Sequence, residues 1–449
     1  MSNSITFRGG VHPLHGVHEG KAATCGQAVI DYTAETVTIQ MGMHLGAPST
    51  PTVQVGDHVK LGQQIADPVG FLGLPVHASV SGEVIAVGPV QTILNPAAMA
   101  VTIKNDFKDE WVDGLEPLGD VETAPVEKIV PAIKNAGICG MGGASFPTHV
   151  KFAVKEGQYC DTIVLNGAEC ETHLTCDHRL MLEQSKRIVD GLRAAMRALD
   201  VKKGIIAIED NKPDAIEARR RAAAGREGVE VMPLMTKYPQ GGEKQLIQVV
   251  TGREVPTKKL PLDVHVIVLN VGTAKAIADA VIEGKPVISR VTTVTGHVNR
   301  PSNLRVRIGT MADDLIAACG GISIPEDQVG KIVMGGAMTG FPFPNTTHIP
   351  LAKGNNGVVV YSEAEAVDYE EDPCIRCGRC VEACPIGLNP FKLKYFCDAG
   401  DMKRAGEWCV MDCVVCGSCS YICPAHRRLT ASFKAMKDKI AAEARKGKG

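Results

Sequence analysis

Aromatic side chains are scarce in this sequence: ten Phe, seven Tyr and two Trp amount to 4% of 449 residues, too few to build the base-stacking platforms of a single-strand nucleic-acid binder. An excess of one charge is also lacking. The formal net charge is −2 and the isoelectric point is near 6.7, so no global field draws the chain to nucleic acid or anionic lipid. No apolar run approaches the roughly 20 residues that cross a bilayer, which points to a soluble or peripheral protein. No secretory signal opens the chain, and with 16 cysteines present this points to a reducing compartment in which free thiols persist. The length leaves room for about three or four domains.

What the chain does have is a cysteine pattern that occurs twice, 39 residues apart. Cys374, Cys377, Cys380 and Cys384 precede Pro385, and Cys413, Cys416, Cys419 and Cys423 precede Pro424. Each run reads C-x2-C-x2-C-x3-C-P. This spacing wraps a short loop around a cubane so that three thiolates hold one cluster and the fourth crosses to the other. Structural zinc generally uses two separated CxxC pairs, whereas the eight cysteines here supply two cubanes with none left over. Two 4Fe-4S clusters are therefore expected. The first takes Cys374, Cys377, Cys380 and Cys423; the second takes Cys413, Cys416, Cys419 and Cys384. Each proline ends its ligand loop by fixing φ and removing a donor. Such a chain conducts electrons.

Cys25, Cys139, Cys160, Cys170, Cys176, Cys319, Cys397 and Cys409 lie outside the repeat. Without companions at ligand spacing, most read as small buried hydrophobes. His12, His15 and His18 cluster in GVHPLHGVHEG, where the proline and glycines suit an irregular loop better than a metal-binding face. His77, His149 and His173 read as hydrogen-bonded loop residues.

The texture of the chain changes along its length. Residues 1–115 read as an all-β module in which Val53, Val55, Val59 and Ile65 alternate with polar residues around a turn at Gly56 and Asp57, with a second such stretch around Gly82. This resembles the barrel-sandwich fold of lipoyl and biotinyl carriers. Those carriers need a lysine at a hairpin tip, and none lies between Lys60 and Lys104, so the module is expected to be a scaffold or docking element. Residues 125–284 alternate apolar strands (DTIVLNGAE, GIIAIED, VEVMPLM, HVIVLNV) with helices, including one over 178–199 whose Leu180, Met181, Ile188, Val189, Leu192 and Met196 share a face. That alternation implies a mainly parallel sheet covered on both sides, with ligands at the carboxyl ends of its strands. Residues 285–350 look like a small β-grasp element, residues 365–428 hold the cysteine repeat, and residues 429–449 read as a basic helical tail. The tail is expected to be a solvated helix end or a contact for an acidic partner.

Three loops of the α/β segment carry chemistry. Gly137, Gly140, Gly142 and Gly143 precede Phe146, Pro147 and Lys151; closely spaced glycines let backbone amides approach a phosphate or a flat ring. Asn166, Glu169 and Glu171 follow a strand, and Gly241, Gly242 and Glu243 open a helix. The two glutamates after the strand are either site residues or a solvated turn.

These loops resemble the FMN- and NADH-binding loops of the flavoprotein subunit of respiratory complex I. The order of modules resembles that of the RnfC family, the C subunits of Rnf-type electron transport complexes, over essentially the whole chain. The implied fold is multidomain α/β and α+β: a barrel-sandwich module, a Rossmann-like flavoprotein domain, a β-grasp element and a two-cluster ferredoxin domain. The resemblance implies noncovalent FMN against Gly140, Gly142, Gly143 and Lys151, with Asn166, Glu169, Gly242, Glu243, Asn270 and Thr310 at positions matching FMN contacts. Phe146, Glu171 and Glu243 match residues that contact NADH. The chain departs from the complex I pattern at Ala168, where an acidic residue is usual, at Lys244 in place of a glutamate, and at Met141 in place of a basic residue. No acid, base or nucleophile is implied, because hydride passes directly from nicotinamide to flavin. The implied role is a peripheral subunit on the cytoplasmic side of the cell membrane. It would exchange electrons between NADH and partner subunits, including a ferredoxin-like cluster subunit and indirectly ferredoxin, coupled to ion transport. Two other readings stay open: a diaphorase-like flavoprotein of a soluble hydrogenase or formate dehydrogenase, and an electron relay that has lost NADH binding.

Overall fold

The computed structural model describes residues 5–13, 20–344 and 348–446. His15 and His18 of the histidine cluster, and Lys448 of the basic tail, lie outside the described residues.

The N-terminal module is a pair of small antiparallel sheets. One orders the strands Thr36–Gln40, Ala98–Asn105, Gly82–Val90 and His58–Val59; the other orders Thr50–Pro51, Gln64–Asp67 and Val76–His77. Val37, Ile39, Val59, Ile65, Val84, Val101 and Ile103 fill the space between them. Two sequence expectations change. Val55 is 61% exposed, because the turn at Gly56, with φ of 93°, carries it outward. His77 is a buried strand residue, not a loop residue. Gly82 is required by geometry: its φ is 147°, and a β-carbon there would overlap the Lys104 carbonyl across the ladder.

The α/β domain is built on four parallel strands in the order Val229–Leu234, Lys203–Glu209, Thr162–Gly167, Val266–Asn270. Lys203–Glu209, Thr162–Gly167 and Val266–Asn270 carry continuous apolar runs because both faces are covered, whereas the edge strand Val229–Leu234 is only partly buried. Ile163 and Leu165 face the helices Val126–Asn135, Ser185–Ala198 and Val271–Glu283, whereas Val164 between them faces Leu246 and Ile247 of the helix Glu243–Thr251. The helix expected over 178–199 is two, Cys176–Glu183 and Ser185–Ala198. Gln184 leaves the helical region (φ −120°, ψ 36°), and the buried Arg219 guanidinium takes the carbonyls of Met181 and Ser185 at the break.

The β-grasp segment is part of a larger sheet. Ser289–Gly296 pairs with Ser302–Arg307, but the six-stranded sheet also takes in Gly357–Ser362, between Ser289–Gly296 and Val329–Met334, and Ile30–Tyr32 at one edge. The sheet thus draws strands from both sides of the 285–350 stretch.

The basic tail is not a solvated appendage. Helix Leu429–Lys446 buries Leu429, Phe433 and Met436 against Leu393, Phe396 and Val410 of the cysteine domain, and Lys437 donates to the Cys413 carbonyl. Among the described residues no helix is long and apolar enough to cross a membrane.

The helices Ser185–Ala198 and Val271–Glu283 cross at Gly191, where a β-carbon would overlap the Ala274 carbonyl and neither backbone can retreat from the sheet. Gly191→Ala is therefore expected to cost roughly 1–3 kcal/mol by overpacking. Hydrogen exchange should report it as lost amide protection in both helices, with the N-terminal module unchanged.

Candidate functional site

The carboxyl ends of the four parallel strands converge on one edge, and the three loops flagged by the sequence meet there. The glycine loop is a tight reversal in which Gly140 N–H donates to the Phe146 carbonyl at 2.8 Å and Thr148 N–H to the Ile138 carbonyl at 3.0 Å. Its tip, Gly142 to Ala144, is exposed, and Phe146 is half-buried. Gly143 has φ of 117° and must be glycine; Gly142 has no such constraint, and a β-carbon there would meet the Asn270 side chain at 3.4 Å, an ordinary contact. A β-carbon at Gly143 would meet nothing within 4 Å, so the space above the tip of the loop is open there.

Asn270 caps the helix Val271–Glu283 by accepting from Gly272 N–H at 2.7 Å, and its amide donates to Asp177 at 2.7 Å. Asn166 donates to the Gly241 carbonyl at 2.8 Å, tying the loop after the first strand to the second glycine-rich loop. Lys151 reaches across to Glu243 at 3.1 Å and to the Val268 carbonyl at 2.8 Å.

The two glutamates are not a solvated turn. Glu169 keeps partial residue exposure, but its carboxylate points inward and accepts from Asp177 N–H at 2.6 Å and His178 N–H at 3.2 Å, at the start of the helix Cys176–Glu183. Burial raises its pKa from 4.5 to about 7, against the pull of Lys21 and Lys212. Glu171 accepts from Met338 N–H at 3.0 Å and from the Thr339 hydroxyl, and burial raises its pKa as well.

Residues that carry no sequence pattern complete the edge. Thr273 accepts from Met141 N–H at 3.0 Å and pins the glycine loop to the capped helix. Arg290 donates to the carbonyls of Met141 at 3.3 Å and Lys353 at 2.6 Å; Lys353 donates to Gly137 at 2.7 Å, and Lys212 to Ala168 at 2.7 Å. These cations are buried and satisfy backbone carbonyls of the edge, and Lys212 also pairs with the buried Glu209 at 3.2 Å. The glycine loop and the N-terminus of the helix Val271–Glu283 fit the phosphate-bearing FMN. Thr310 lies at the seam between the N-terminal module and the large sheet. Its hydroxyl donates to the Arg307 carbonyl at 2.8 Å, and its carbonyl accepts from Leu351 N–H at 2.9 Å.

The cysteine domain holds two small cavities. One is lined by Cys374, Cys377, Cys380 and Cys423, the other by Cys413, Cys416, Cys419 and Cys384. The fourth cysteine of each run crosses to the other cavity, as the spacing predicts, and the donor sets fit cubane clusters. Of the remaining cysteines, Cys139, Cys176 and Cys319 are buried, Cys25, Cys160, Cys170 and Cys397 are intermediate, and Cys409 is exposed.

The second cavity adjoins the α/β edge. Tyr238, 2% exposed and just ahead of Gly241 and Gly242, donates its hydroxyl to the Cys416 carbonyl at 2.7 Å. Gln245 donates to the Pro385 carbonyl at 3.4 Å, and Gly241 N–H to Cys170 Sγ at 3.3 Å. The N-terminal segment is laid between: Val11 and Tyr238 exchange backbone bonds of 2.8 and 2.9 Å, and Gly10 N–H donates to the Ala383 carbonyl at 2.9 Å. The first cavity lies farther out, with Cys374 and Cys377 exposed and Ile375 67% exposed.

Comparison with known proteins accords with this geometry. Three family descriptions match: the RnfC barrel sandwich hybrid domain over residues 5–108, the Nuo51 FMN-binding domain over 133–279 and the SLBB domain over 291–342. The chain is 43% identical over 443 residues to the C subunit of the Na+-translocating ferredoxin:NAD+ oxidoreductase complex of Acetobacterium woodii, covering 98% of each. It is 45% identical over 390 residues to the proton-translocating counterpart of Clostridium ljungdahlii, covering 86% of this chain and 83% of that one. Against the C subunit of the ion-translocating oxidoreductase complex of Rhodobacter capsulatus the identity is 42% over 452 residues, covering 98% and 84%. Among solved structures, an NAD+-reducing NiFe-hydrogenase in the H2-reduced state shares the fold, with a TM-score of 0.50, 19% identity, and coverage of 72% of this chain and 63% of that one.

Substitution of Gly142 offers a test that separates folding from cofactor binding. Gly142→Val is expected to leave the secondary structure and the iron and sulfide content unchanged while the purified protein loses its flavin absorbance. Full flavin content in that variant would move the flavin away from the loop.

Proposed function

The chain belongs to the RnfC family, the C subunits of Rnf-type ion-translocating ferredoxin:NAD+ oxidoreductase complexes, and from that membership we propose that it exchanges hydride between NADH and FMN and passes electrons singly through two 4Fe-4S clusters to partner subunits. The observation that carries this reading is the Tyr238 bridge. A residue four positions before Gly242 bonds the backbone of a cysteine in the second cavity, so the flavin edge and the cluster domain are joined through one buried side chain. Bound FMN would accept an electron pair as hydride and release it one electron at a time, which the one-electron cubanes require.

The protein's own residues supply binding, orientation and insulation. Gly140, Gly142, Gly143 and Lys151 cradle the flavin, and Asn166, Glu169, Gly242, Glu243 and Asn270 frame it. Phe146, Glu171 and Glu243 face the nicotinamide. Burial pushes the Tyr238 phenol pKa up, so the hydroxyl stays a donor to Cys416 across the working pH range. Cys374, Cys377, Cys380 and Cys423 hold the outer cluster; Cys413, Cys416, Cys419 and Cys384 hold the one beside the flavin edge. Cys374 and Cys377, two of the cysteines that would hold the outer cluster, are exposed, and that face would meet partner subunits, a ferredoxin-like cluster subunit among them. The protein sits peripherally on the cytoplasmic side of the membrane, and ion translocation belongs to its partners.

Two measurements test the reading. In anaerobic stopped-flow mixing with NADH, flavin bleaching should precede cluster bleaching. Glu243→Ala that keeps its flavin should lose both rapid phases, while dithionite still reduces its clusters. Cluster reduction by NADH at the normal rate in flavin-depleted protein would overturn the hydride-to-flavin step, and flavin-loaded protein that ignores NADH would leave an electron relay. Separately, Cys384→Ala should abolish the paramagnetic signal of the cluster on Cys413, Cys416 and Cys419 and spare the other.

A further inference from the structure

Lys21 belongs to the N-terminal segment, outside the α/β domain, yet its ammonium ends inside the loop that follows the strand Thr162–Gly167. It is 6% exposed and donates to the carbonyls of Glu169 at 2.8 Å, Glu171 at 2.7 Å and Leu174 at 2.7 Å. The turn that carries these carbonyls contains two left-handed non-glycine residues, Glu169 with φ of 49° and His173 with φ of 70°. Such a backbone persists only where its surroundings hold it. An ammonium offers three donors and no acceptor, matching three converging carbonyls; a guanidinium offers a flat fork, and a neutral side chain would leave buried carbonyls unsatisfied.

We propose that Lys21 is a positioning residue for the nicotinamide side of the flavin site: by gathering the carbonyls of Glu169, Glu171 and Leu174 it fixes the turn that carries both glutamates. The role rests on the hydride-exchange reading above, but the clamp itself stands on the three hydrogen bonds. The groups facing the Glu169 carboxyl are Lys21, Asp177 and Cys176 of the helix Cys176–Glu183, and Lys212 of the loop after Lys203–Glu209. Desolvation is the largest influence on that carboxyl and raises its pKa to about 7; Lys21 is the strongest opposing charge. Removing Lys21 therefore drives the titration of Glu169 further upward and keeps its proton on at neutral pH.

The experiment uses the full-length protein with its cofactors. The rate of flavin reduction by NADH is followed against pH and NADH concentration in wild type, Lys21→Met and Lys21→Arg, and the Glu169 carboxyl is titrated by infrared difference spectroscopy, with Glu169→Gln identifying its band. In Lys21→Met the carboxyl band and the pH inflection should move to higher pH, and half-saturation by NADH should rise. In Lys21→Arg the inflection should stay, because the charge is kept, while half-saturation still rises, because a planar fork does not meet three carbonyls. Lys21→Met with an unmoved carboxyl titration, or Lys21→Arg identical to wild type in NADH half-saturation, would overturn the proposal. If Lys21→Met does not fold, the arginine variant decides alone. A wild-type protein that NADH does not reduce would sink the hydride reading, while the infrared titration still decides Lys21.

Discussion

The constraint on which this architecture depends is the burial of backbone carbonyls where the parallel strands end. A strand that runs into a loop at a covered edge leaves acceptors that the ladder no longer serves, and an unsatisfied buried carbonyl is costly. Here the donors are cations brought from distant parts of the chain. Lys21 serves Glu169, Glu171 and Leu174; Lys151 serves Val268; Lys212 serves Ala168; Arg290 serves Met141; Lys353 serves Gly137. These donors are in place before any ligand arrives, so binding does not have to order them.

That arrangement explains why the modules cannot be read as independent beads. Lys21 comes from the N-terminal segment, Arg290 from the large sheet and Lys353 from the stretch just before its strand Gly357–Ser362. The α/β edge is complete only when its neighbours are docked. The segment 7–11 works in the same way on the other side. Gly9 and Gly10 both have left-handed φ, 85° and 80°, and a β-carbon at Gly9 would press on the Cys384 carbonyl, so the chain can thread between Tyr238 and the cysteine loop only with glycine there. The two cavities consequently have unequal surroundings. One is roofed by the helix Leu429–Lys446, with Lys437 on the Cys413 carbonyl, and the other has two cysteines at the surface. Burial and nearby charge are the levers that set cluster potentials, and the two cavities differ in both.

What is legible in the sequence follows from which forces leave a local pattern. The cysteine spacing picks out the two groups of four that line the two cavities, including the crossing of Cys384 and Cys423. Two-sided burial writes continuous apolar runs, and the four strands are readable from them. Long-range donors leave no such trace. A lysine that reaches a carbonyl 150 residues away looks like any surface lysine, so no pattern marks Lys21, Lys212, Arg290 or Lys353. The helix break is hidden for the same reason: Arg219 stabilises the gap at Gln184 from another helix. In the tail, the many lysines suggest solvation, whereas Leu429, Phe433 and Met436 recur at helical spacing and decide the outcome by facing the cysteine domain.

The same distinction between side chain and backbone bears on the positions where this chain departs from the complex I pattern. At Ala168 the buried group that matters is the carbonyl, which accepts from Lys212 at 2.7 Å; any residue supplies it, so losing an acidic side chain leaves the loop held as before. Lys244 lies on the face of its helix that borders a cleft shared with Glu382, Cys384, Pro385 and Cys409, whereas its neighbour Glu243 pairs with Lys151 on the glycine-loop side. A charge reversal at residue 244 therefore alters the field beside the cysteine domain and spares the contact at Glu243. Met141 is buried, and its backbone N–H and carbonyl are taken by Thr273 and Arg290, so the cation absent from its side chain is supplied to the same loop by Arg290. At Ala168 and Met141 the departures fall where the contact is made by the main chain, whereas Lys244 changes the charge of the cleft beside the cysteine domain.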